Sequence, residues 1–235
     1  MPIHIRAESG DIAPIVLLPG DPGRAKRVAE RLEDAQCYND FRGLTGYTGV
    51  YKGHSISVQT TGMGAPSAAI VVEELAMLGA KTVIRIGTCG GASAEVRPGD
   101  LVIGTAACPL DGTTRQYLAG DSYAPAASYR VVRALVDAAD GAHVRYHTGL
   151  IATEDVLYAV TPGWAETWSA RGVLAQEMEA SAVFTVAALR GLEAGCILTA
   201  ANSAGQHERL PDDELLPAID RMIDVALEAA VALGA

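Results

Sequence analysis

The sequence predicts an α/β fold: a single domain, residues 1–235, with a mixed, mainly parallel central β-sheet flanked by helices on both faces. Short apolar runs alternate with longer runs of helical periodicity along the 235-residue chain. This alternation is typical of a largely parallel sheet covered by helices. The composition, 49% hydrophobic and 20% charged, is that of a chain that buries one sizeable core.

The first half of the chain begins with an apolar strand at residues 15–18, which ends in a Pro-Gly turn. A helix is predicted at 24–32. Two strands, 47–51 and 55–60, are predicted to form a hairpin around a glycine turn. Residues 66–78 carry apolar side chains on most faces, which is typical of a largely buried helix.

The second half continues the alternation. Buried-type strands are predicted at 81–88, 100–104, 147–152 and 195–201. Helices are predicted at 128–139, 162–171, 180–190 and 213–233. Three segments are predicted to be irregular: a long loop at 109–125, an acidic turn at 176–179 and a polar stretch at 202–211.

The charge balance excludes several classes of partner. The formal net charge is −10 and the pI is about 4.9, so the field of the whole molecule repels nucleic acids and acidic membranes. Any anion must then be bound by local groups. The N-terminal residues lack the features of a signal peptide, and no uncharged apolar run is long enough to cross a bilayer, which together predict a cytoplasmic protein.

The four cysteines are far apart in the sequence and show no C-x-x-C spacing. They are Cys37, Cys89, Cys108 and Cys196. This spacing argues against both a zinc site and a disulfide framework, and it favours reduced residues, mostly in core positions.

The first segment that could carry chemistry is the turn Gly20-Asp21-Pro22-Gly23-Arg24 after the first predicted strand. Its glycines allow backbone N–H groups to approach an anion, the following helix contributes its positive end, and Arg24 adds a cation. An ordinary strand-to-helix turn with a solvated arginine explains the same residues equally well.

The second segment, residues 85–91, places Arg85 inside a run that otherwise resembles a buried strand. An unpaired guanidinium is costly to bury, so Arg85 requires an anionic partner, either a structural carboxylate or a bound phosphate. Thr88 follows at the carboxyl end of the strand, where α/β sheets bind ligands.

The third segment, residues 176–182, has Glu177 and Glu179 on either side of Met178, just before an apolar helix. Acidic residues at that position could simply favour a helix N-terminus. Alternatively, a carboxylate could accept hydrogen bonds from two sugar hydroxyls while the methionine packs under the sugar ring.

The combination of these segments resembles the nucleoside phosphorylase family, which contains bacterial hexameric purine nucleoside phosphorylases and uridine phosphorylases. The likeness covers practically the whole chain and is greatest to purine enzymes of the Thermus type. Besides the three segments it includes His4, FRGLTGYTG at 41–49 and TGMGAPS at 61–67.

The resemblance implies a phosphate site made of Gly20, Arg24, Arg85 and Thr88, with Arg42 contributed by the adjacent subunit. Inorganic phosphate is then a co-substrate, and neither a metal nor an organic cofactor is expected. The implied assembly is a homo-oligomer, a hexamer built as a trimer of dimers, in which His4 also reaches the neighbouring subunit's site.

The resemblance also implies the residues that contact the nucleoside. They are His4, Met63, Cys89, Gly90, Leu157, Tyr158, Glu177, Met178, Glu179 and Asn202. Among the implied site residues, Asn202, Glu179 and Arg24 are expected to be catalytic. Glu179 would accept from the 2′- and 3′-hydroxyls of the ribose and His4 would meet the 5′-hydroxyl.

The base side departs from the family pattern. Asn202 stands where many purine enzymes have an aspartate that protonates N7, Leu215 stands where an assisting arginine is common, and Leu157 stands where a stacking aromatic is common. An amide is not a general acid at neutral pH, but its NH2 donates hydrogen bonds, which purine N7 and a 6-oxo group accept. The sequence therefore predicts a preference for inosine and guanosine, with His207 as a candidate gate.

Three alternatives remain at this stage. A uridine phosphorylase would also carry an asparagine at 202, but the Gln-x-Arg pair usual in those enzymes is missing from 153–172. A non-enzymatic nucleoside-binding module would explain the missing aspartate, and a nucleosidase would use water as the nucleophile. Neither of these last two needs three arginines around one anion.

Overall fold

The computed structural model describes residues 2–158, 161–206 and 208–234. His207 lies outside these ranges. Within them the chain forms nine strands and seven α-helices. The strands are β1 (Ile15–Pro19), β2 (Glu33–Asn39), β3 (Gly46–Tyr51), β4 (His54–Gln59), β5 (Thr82–Gly91), β6 (Leu101–Pro109), β7 (Tyr146–Thr153), β8 (Val173–Glu177) and β9 (Glu193–Asn202). The helices are α1 (Pro22–Ala29), α2 (Ala65–Met77), α3 (Gly112–Tyr117), α4 (Tyr129–Gly141), α5 (Trp164–Ser169), α6 (Ala180–Arg190) and α7 (Asp212–Gly234).

One mixed sheet contains all of the described strands, in the order β2-β3-β4-β1-β5-β8-β7-β6-β9. Strand β9 also pairs with β5 in parallel. Strands β5, β8, β7, β6 and β9 therefore close into a ring, while β1, β4, β3 and β2 extend from it as an open sheet. Five of the nine pairings are parallel, namely β1 with β4 and β5, β5 with β9, and β7 with β6 and β8, which confirms the predicted fold class.

Helices cover both faces of the sheet. On one face, α2 and α6 pack with the sheet in a core that includes Leu75 and Phe184. On the other, α1, α4 and α7 form a second core around Leu135, Met222 and Leu227. Helix α6 is buried on nearly every side, which explains why its sequence shows no polar face.

The turn between β1 and α1 is fixed by local hydrogen bonds. Asp21 caps α1 by accepting from Gly23 N at 2.9 Å and from Arg24 N at 3.2 Å, and Pro22 occupies the first helical position. Both features favour a helix start at this point. The helix begins two residues before the predicted start, and the cap holds Arg24 at the end of the sheet.

Two of the predicted irregular segments are corrected by the structure. The predicted loop 109–125 contains α3, and Pro109 is the last residue of β6. Glycine and threonine at the start of α3 have low helix propensity, but Asp111 caps the helix by accepting from Thr114 N at 2.6 Å. The predicted acidic turn 176–179 is also wrong in part, because Gln176 and Glu177 belong to β8.

The sequence analysis missed β8, of which it named only residues 176 and 177 as part of a turn, and it also missed β2. This strand lies at one end of the sheet, where it pairs only with β3 and has irregular register. Most of its side chains are polar and exposed or half-buried. Because these side chains contact solvent, β2 lacks the apolar run that identifies buried strands.

All four cysteines are free thiols; Cys89 and Cys196 are buried, Cys108 is half-buried and Cys37 is exposed. The parts of the chain that the structure describes contain no helix with the length and hydropathy to cross a membrane.

Candidate active site

A buried arginine lies at the centre of the candidate site. Arg85, on β5, is 4% exposed. Its Nε donates to Glu177 Oε2 at 2.7 Å, and its Nη2 forms an ion pair with Glu179. Desolvation alone would lower the pKa of Arg85, but the charges of Glu179 and Glu177 outweigh it and raise the pKa. The sequence allowed either a structural carboxylate or a bound phosphate as the partner of Arg85. In the structure Arg85 has two carboxylate partners, Glu177 and Glu179.

The carboxylate of Glu177 is surrounded by donors. Its Oε2 also accepts from Glu179 N at 2.8 Å and Ala180 N at 2.9 Å, and its Oε1 accepts from Thr153 Oγ1 at 2.5 Å. Burial raises the pKa of Glu177, whereas Arg85 and these hydrogen bonds favour the charged form. The assignment of Glu177 to the nucleoside stays a prediction, because the described contacts of its oxygens are all to protein donors.

Arg24 reaches the same end of the sheet from α1. It is 8% exposed, and its Nη1 donates to Ile86 O at 3.1 Å. The pKa of Arg24 is lowered to about 10, mainly by desolvation; the charges of Asp21 and Glu179 oppose this lowering, and those of Arg85 and Arg209 contribute to it. Its Nε is buried and has no hydrogen-bond partner among the described residues. A buried guanidinium of this kind is stabilised by an anion.

The glycine turn lies close to a second loop. A Cβ on Gly20 would lie 3.1 Å from Gly62 O, which is tighter than most real contacts. Glycine at this position therefore allows the Gly20 backbone and the loop at 62–64 to approach each other. This close approach brings the predicted phosphate turn and Met63 to one side of the site.

Glu179 connects the loop at 62–64 to the arginine cluster. Its Oε1 accepts from Gly64 N at 2.6 Å, while its other oxygen is paired with Arg85. Gly64 has a φ of 90°, which glycine adopts at little cost. Next to this loop Met63 is 84% exposed, and Met178 is half-buried.

The base side of the site is formed where β5 and β9 end together. Thr88 and Cys89 pair in parallel register with Thr199 and Ala200 of β9. A Cβ on Gly90 would lie 3.1 Å from Asn202 Oδ1. Asn202 Oδ1 is buried without a hydrogen-bond partner among the described residues. No hydrogen bond of Asn202 Nδ2 occurs in the described chain, so the donor end of the amide is free to meet a ligand.

Four of the predicted site residues are not brought into this cluster. Leu157 and Tyr158 are 54% and 97% exposed. Arg42 is exposed, with a φ of 59°, and His4 Nδ1 is 2.8 Å from Glu74 Oε1. In the described ranges no hydrogen bond or ion pair joins any of the four to Arg24, Arg85 or Glu179.

Two polar residues of this region were missed by the sequence analysis. Thr153 is fully buried and contacts Glu177, and Glu74 accepts the backbone N–H groups of Ile3, His4 and Ile5. Thr153 directly follows the predicted strand 147–152, but nothing in the sequence pairs it with a residue 24 positions away. Glu74 lies within a segment whose apolar pattern predicts only a buried helix, and nothing in that pattern indicates a role for its carboxylate.

Comparison with known proteins identifies the family of the chain. The family model described as the phosphorylase superfamily matches residues 14–233. The chain belongs to the phosphorylase superfamily. This superfamily member is 43% identical over 237 residues to a protein of Geobacillus kaustophilus (strain HTA426) named purine nucleoside phosphorylase DeoD-type, with 100% of both chains covered. It is 42% identical over 235 residues to the protein of the same name from Bacillus cereus (strain ZK / E33L), covering 98% of this chain and 99% of the relative.

Proposed function

We propose that the chain is a purine nucleoside phosphorylase that transfers the sugar of a purine nucleoside to inorganic phosphate, giving free base and (deoxy)ribose 1-phosphate. The observation that carries the proposal is the pair of buried arginines beside the Gly20 turn. Arg24 has a buried Nε with no partner among the described residues, and Arg85 is held by two carboxylates. In a chain with a net charge of −10, such a cluster supports binding of a dianion.

The phosphate is proposed to lie between the Gly20 turn, Arg24, Arg85 and Thr88. Arg85 uses Nε and Nη2 for Glu177 and Glu179, which leaves Nη1 for the anion. Backbone N–H groups at the start of α1 add partial positive charge. Arg42 of the adjacent subunit is proposed to complete the site, because its exposed side chain has no described partner in its own chain.

The sugar is proposed to lie over Met178 and against Met63, with Glu179 accepting its hydroxyls. Glu179 is 4% exposed and is fixed by Gly64 N and Arg85, so its carboxylate is preorganised. His4 of the adjacent subunit would bind the 5′-hydroxyl. The described contacts of Glu177 favour a role in holding Arg85 over direct contact with the nucleoside.

The reaction breaks the bond between C1′ and N9 as a phosphate oxygen bonds to C1′. The electron pair of the broken bond passes to the base, which takes up a proton from solvent as the hydrogen phosphate releases one, and positive charge develops on the sugar in the transition state. Phosphate below C1′ stabilises that charge. Asn202 Nδ2 is proposed to donate to N7 or O6 of the departing base, which favours inosine and guanosine over adenosine. We propose that no metal or organic cofactor takes part.

The test is to incubate the purified protein with inosine, guanosine, adenosine and uridine, with and without phosphate, and to measure free base. We expect phosphate-dependent release from inosine and guanosine. Arg24→Gln should raise the KM for phosphate at least about tenfold, the loss expected for one charge-assisted interaction of 1.4 kcal/mol or more. Arg27→Gln is the matched control, because Arg27 lies on the same helix but pairs with Asp220.

Cleavage that is equally fast without phosphate would contradict the phosphorylase proposal. Turnover of uridine alone would contradict the purine assignment and support the uridine phosphorylase alternative. No turnover of any nucleoside by a folded protein that binds them would support a binding module.

A further inference from the structure

A buried chain of hydrogen bonds leads to Arg85 from behind the site. Thr153 is the last residue of β7, and its Cα pairs with that of Glu177 on the parallel strand β8. The Thr153 side chain is fully buried. Its Oγ1 lies 2.5 Å from Glu177 Oε1, and Glu177 in turn holds Arg85 through its other oxygen at 2.7 Å.

The direction of the Thr153 hydrogen bond is fixed by a second contact. Ser181 N donates to Thr153 Oγ1 at 2.9 Å. That oxygen is therefore occupied as an acceptor, and its own hydrogen is directed to the carboxylate of Glu177. Ser181 is itself held, because its Oγ donates to the buried carboxylate of Asp111.

This arrangement fixes which way the carboxylate of Glu177 faces. Its Oε2 accepts from Arg85 and from two backbone N–H groups, whereas its Oε1 has Thr153 and a longer bond of 3.0 Å from Ala180 N. Without the hydroxyl, Oε1 would keep only the backbone donor. A buried carboxylate that loses its shortest donor turns toward its remaining donors or takes up a proton, and either change is expected to move Arg85.

We propose that Thr153 is a positioning residue for phosphate: its hydroxyl orients Glu177, which places the Arg85 guanidinium where the phosphate binds. The inference rests on the proposed function, since it assigns the phosphate contact to Arg85. Thr153 does not touch the substrate in this arrangement. Its effect passes through Glu177 to Arg85 and falls mainly on the phosphate, because Glu179, which also pairs with Arg85, is held at the sugar side by Gly64 N as well.

The test compares Thr153→Val and Thr153→Ser with the wild-type protein. Valine keeps the shape and removes the hydroxyl, while serine keeps the hydroxyl. We expect Thr153→Val to raise the KM for phosphate about tenfold, equal to about 1.4 kcal/mol, with kcat and the KM for inosine changed less than twofold. Thr153→Ser should restore the KM for phosphate to within about threefold of wild type, the remainder reflecting the lost methyl group.

Thr185→Val is the matched control. Thr185 is also fully buried, but its Oγ1 has no hydrogen-bond partner among the described residues. The same change of side chain there should leave the KM for phosphate unaltered. A general loss of packing would lower the fraction of active protein in both valine variants. It would not raise the KM for phosphate selectively over the KM for inosine.

Two outcomes would overturn the inference. One is an unchanged KM for phosphate in a folded Thr153→Val protein; the other is an equal rise in the KM values for phosphate and inosine. Both differ from failure of the proposed function, which would appear as wild-type cleavage that does not depend on phosphate. If Thr153→Val does not fold, a Thr153→Ser protein whose KM for phosphate is as high as that of Arg24→Gln also contradicts the inference.

Discussion

At the scale of single residues, the proposed choice of base depends on the amide of Asn202. Its Oδ1 is buried near Gly90 without a described partner, and in the proposed complex its Nδ2 faces the base. A donor at this point is complementary to the oxygen of a 6-oxopurine, whereas the 6-amino group of adenosine would present a second donor. Discrimination of this kind arises because a mismatched polar group remains unpaired.

Asn202→Asp should shift activity toward adenosine. An aspartate donates a hydrogen bond to N7 when it is protonated, and it accepts one from a 6-amino group when it is ionised. We expect the ratio of kcat/KM for adenosine to that for inosine to rise about tenfold, which corresponds to the 1.4 kcal/mol of one neutral hydrogen bond. Initial rates on both nucleosides measure the ratio, with Asn202→Ala as the control for loss of the amide. An unchanged ratio would rule out the donor argument.

Arg85→Gln should destabilise the fold as well as the phosphate site. The substitution leaves the carboxylates of Glu177 and Glu179 buried without their cation, and removal of one member of a buried ion cluster costs about 3–5 kcal/mol. Urea denaturation followed by circular dichroism measures this free energy of unfolding. Arg190→Gln removes a surface pair with Glu73 and should change stability little. Equal stability of the two variants would mean that Arg85 is not part of a coupled cluster.

Sequence reasoning reached some of these residues but not their contacts. A guanidinium inside an apolar run was enough to predict an anionic partner for Arg85, because burial of an unpaired charge is costly. The sequence offered no reason to connect Thr153 with Glu177 or Glu74 with His4, since each pair is joined only by the folded chain. The roles of Arg42, Tyr158 and the other residues assigned from the family resemblance stay predictions.

At the scale of elements, helix α2 anchors the N-terminal segment through one side chain. Glu74 is 5% exposed and accepts from Ile3 N, His4 N and Ile5 N. Desolvation alone would raise the pKa of Glu74, but these bonds and that of His4 outweigh it and lower the pKa. The segment that carries His4 is thus attached to the body of the protein by an ionised carboxylate.

Glu74→Gln should lower stability at neutral pH and have a smaller effect in acid. Because the folded-state pKa lies below the ordinary value of 4.5, Glu74 stabilises the folded chain above that value. This stabilisation is lost as the pH falls through the lower folded-state pKa. Thermal unfolding of both proteins from pH 7 to pH 3.5 should show the difference in Tm shrinking below pH 4.5. A difference in Tm that does not change with pH would contradict an ionised anchor.

Elements were predictable where one physical signal dominated. Strands β5, β6 and β9 of the closed ring are largely buried and apolar, and α6 is apolar all round, so their sequences indicated them clearly. Strand β8 of the same ring has only five residues, ends in Gln176 and Glu177, and was not predicted. Strand β2 and helix α3 depend on context: β2 on pairing with β3, and α3 on its cap by Asp111. Intrinsic propensity is weak for both, and tertiary contacts decide the outcome.

At the scale of the whole molecule, the proposed function predicts a site that is shared between subunits. Arg42 is exposed and makes no described contact with the Arg24 and Arg85 cluster. If it serves the neighbouring site, one chain lacking Arg42 and another lacking Glu179 can complement each other. In a closed symmetric assembly each hybrid pair then contains one complete site.

Mixed assemblies of Arg42→Gln and Glu179→Gln chains should regain activity that neither variant has alone. Random pairing in equal amounts gives about one quarter of the sites complete, since half of the pairs are hybrid and each has one intact site. Co-refolding of the two variants followed by an inosine phosphorolysis assay measures the recovery, and size-exclusion chromatography with light scattering gives the assembly size. Activity no greater than the mean of the two variants would indicate that each chain forms its own site.

The closed ring of β5, β8, β7, β6 and β9 determines where the molecule can move. Strands β5, β8 and β9 of this ring supply Arg85, Glu177 and Asn202. Each of these strands is hydrogen-bonded to a neighbour on both sides, so none of the three strands can move outward alone. We therefore expect substrate entry to involve the loop at 62–64 and the exposed residues 155–158. Amide hydrogen exchange should accordingly be slowest in β5 and β9 and fast in those two loops, and saturating phosphate and nucleoside should slow it in the loops far more than in the ring.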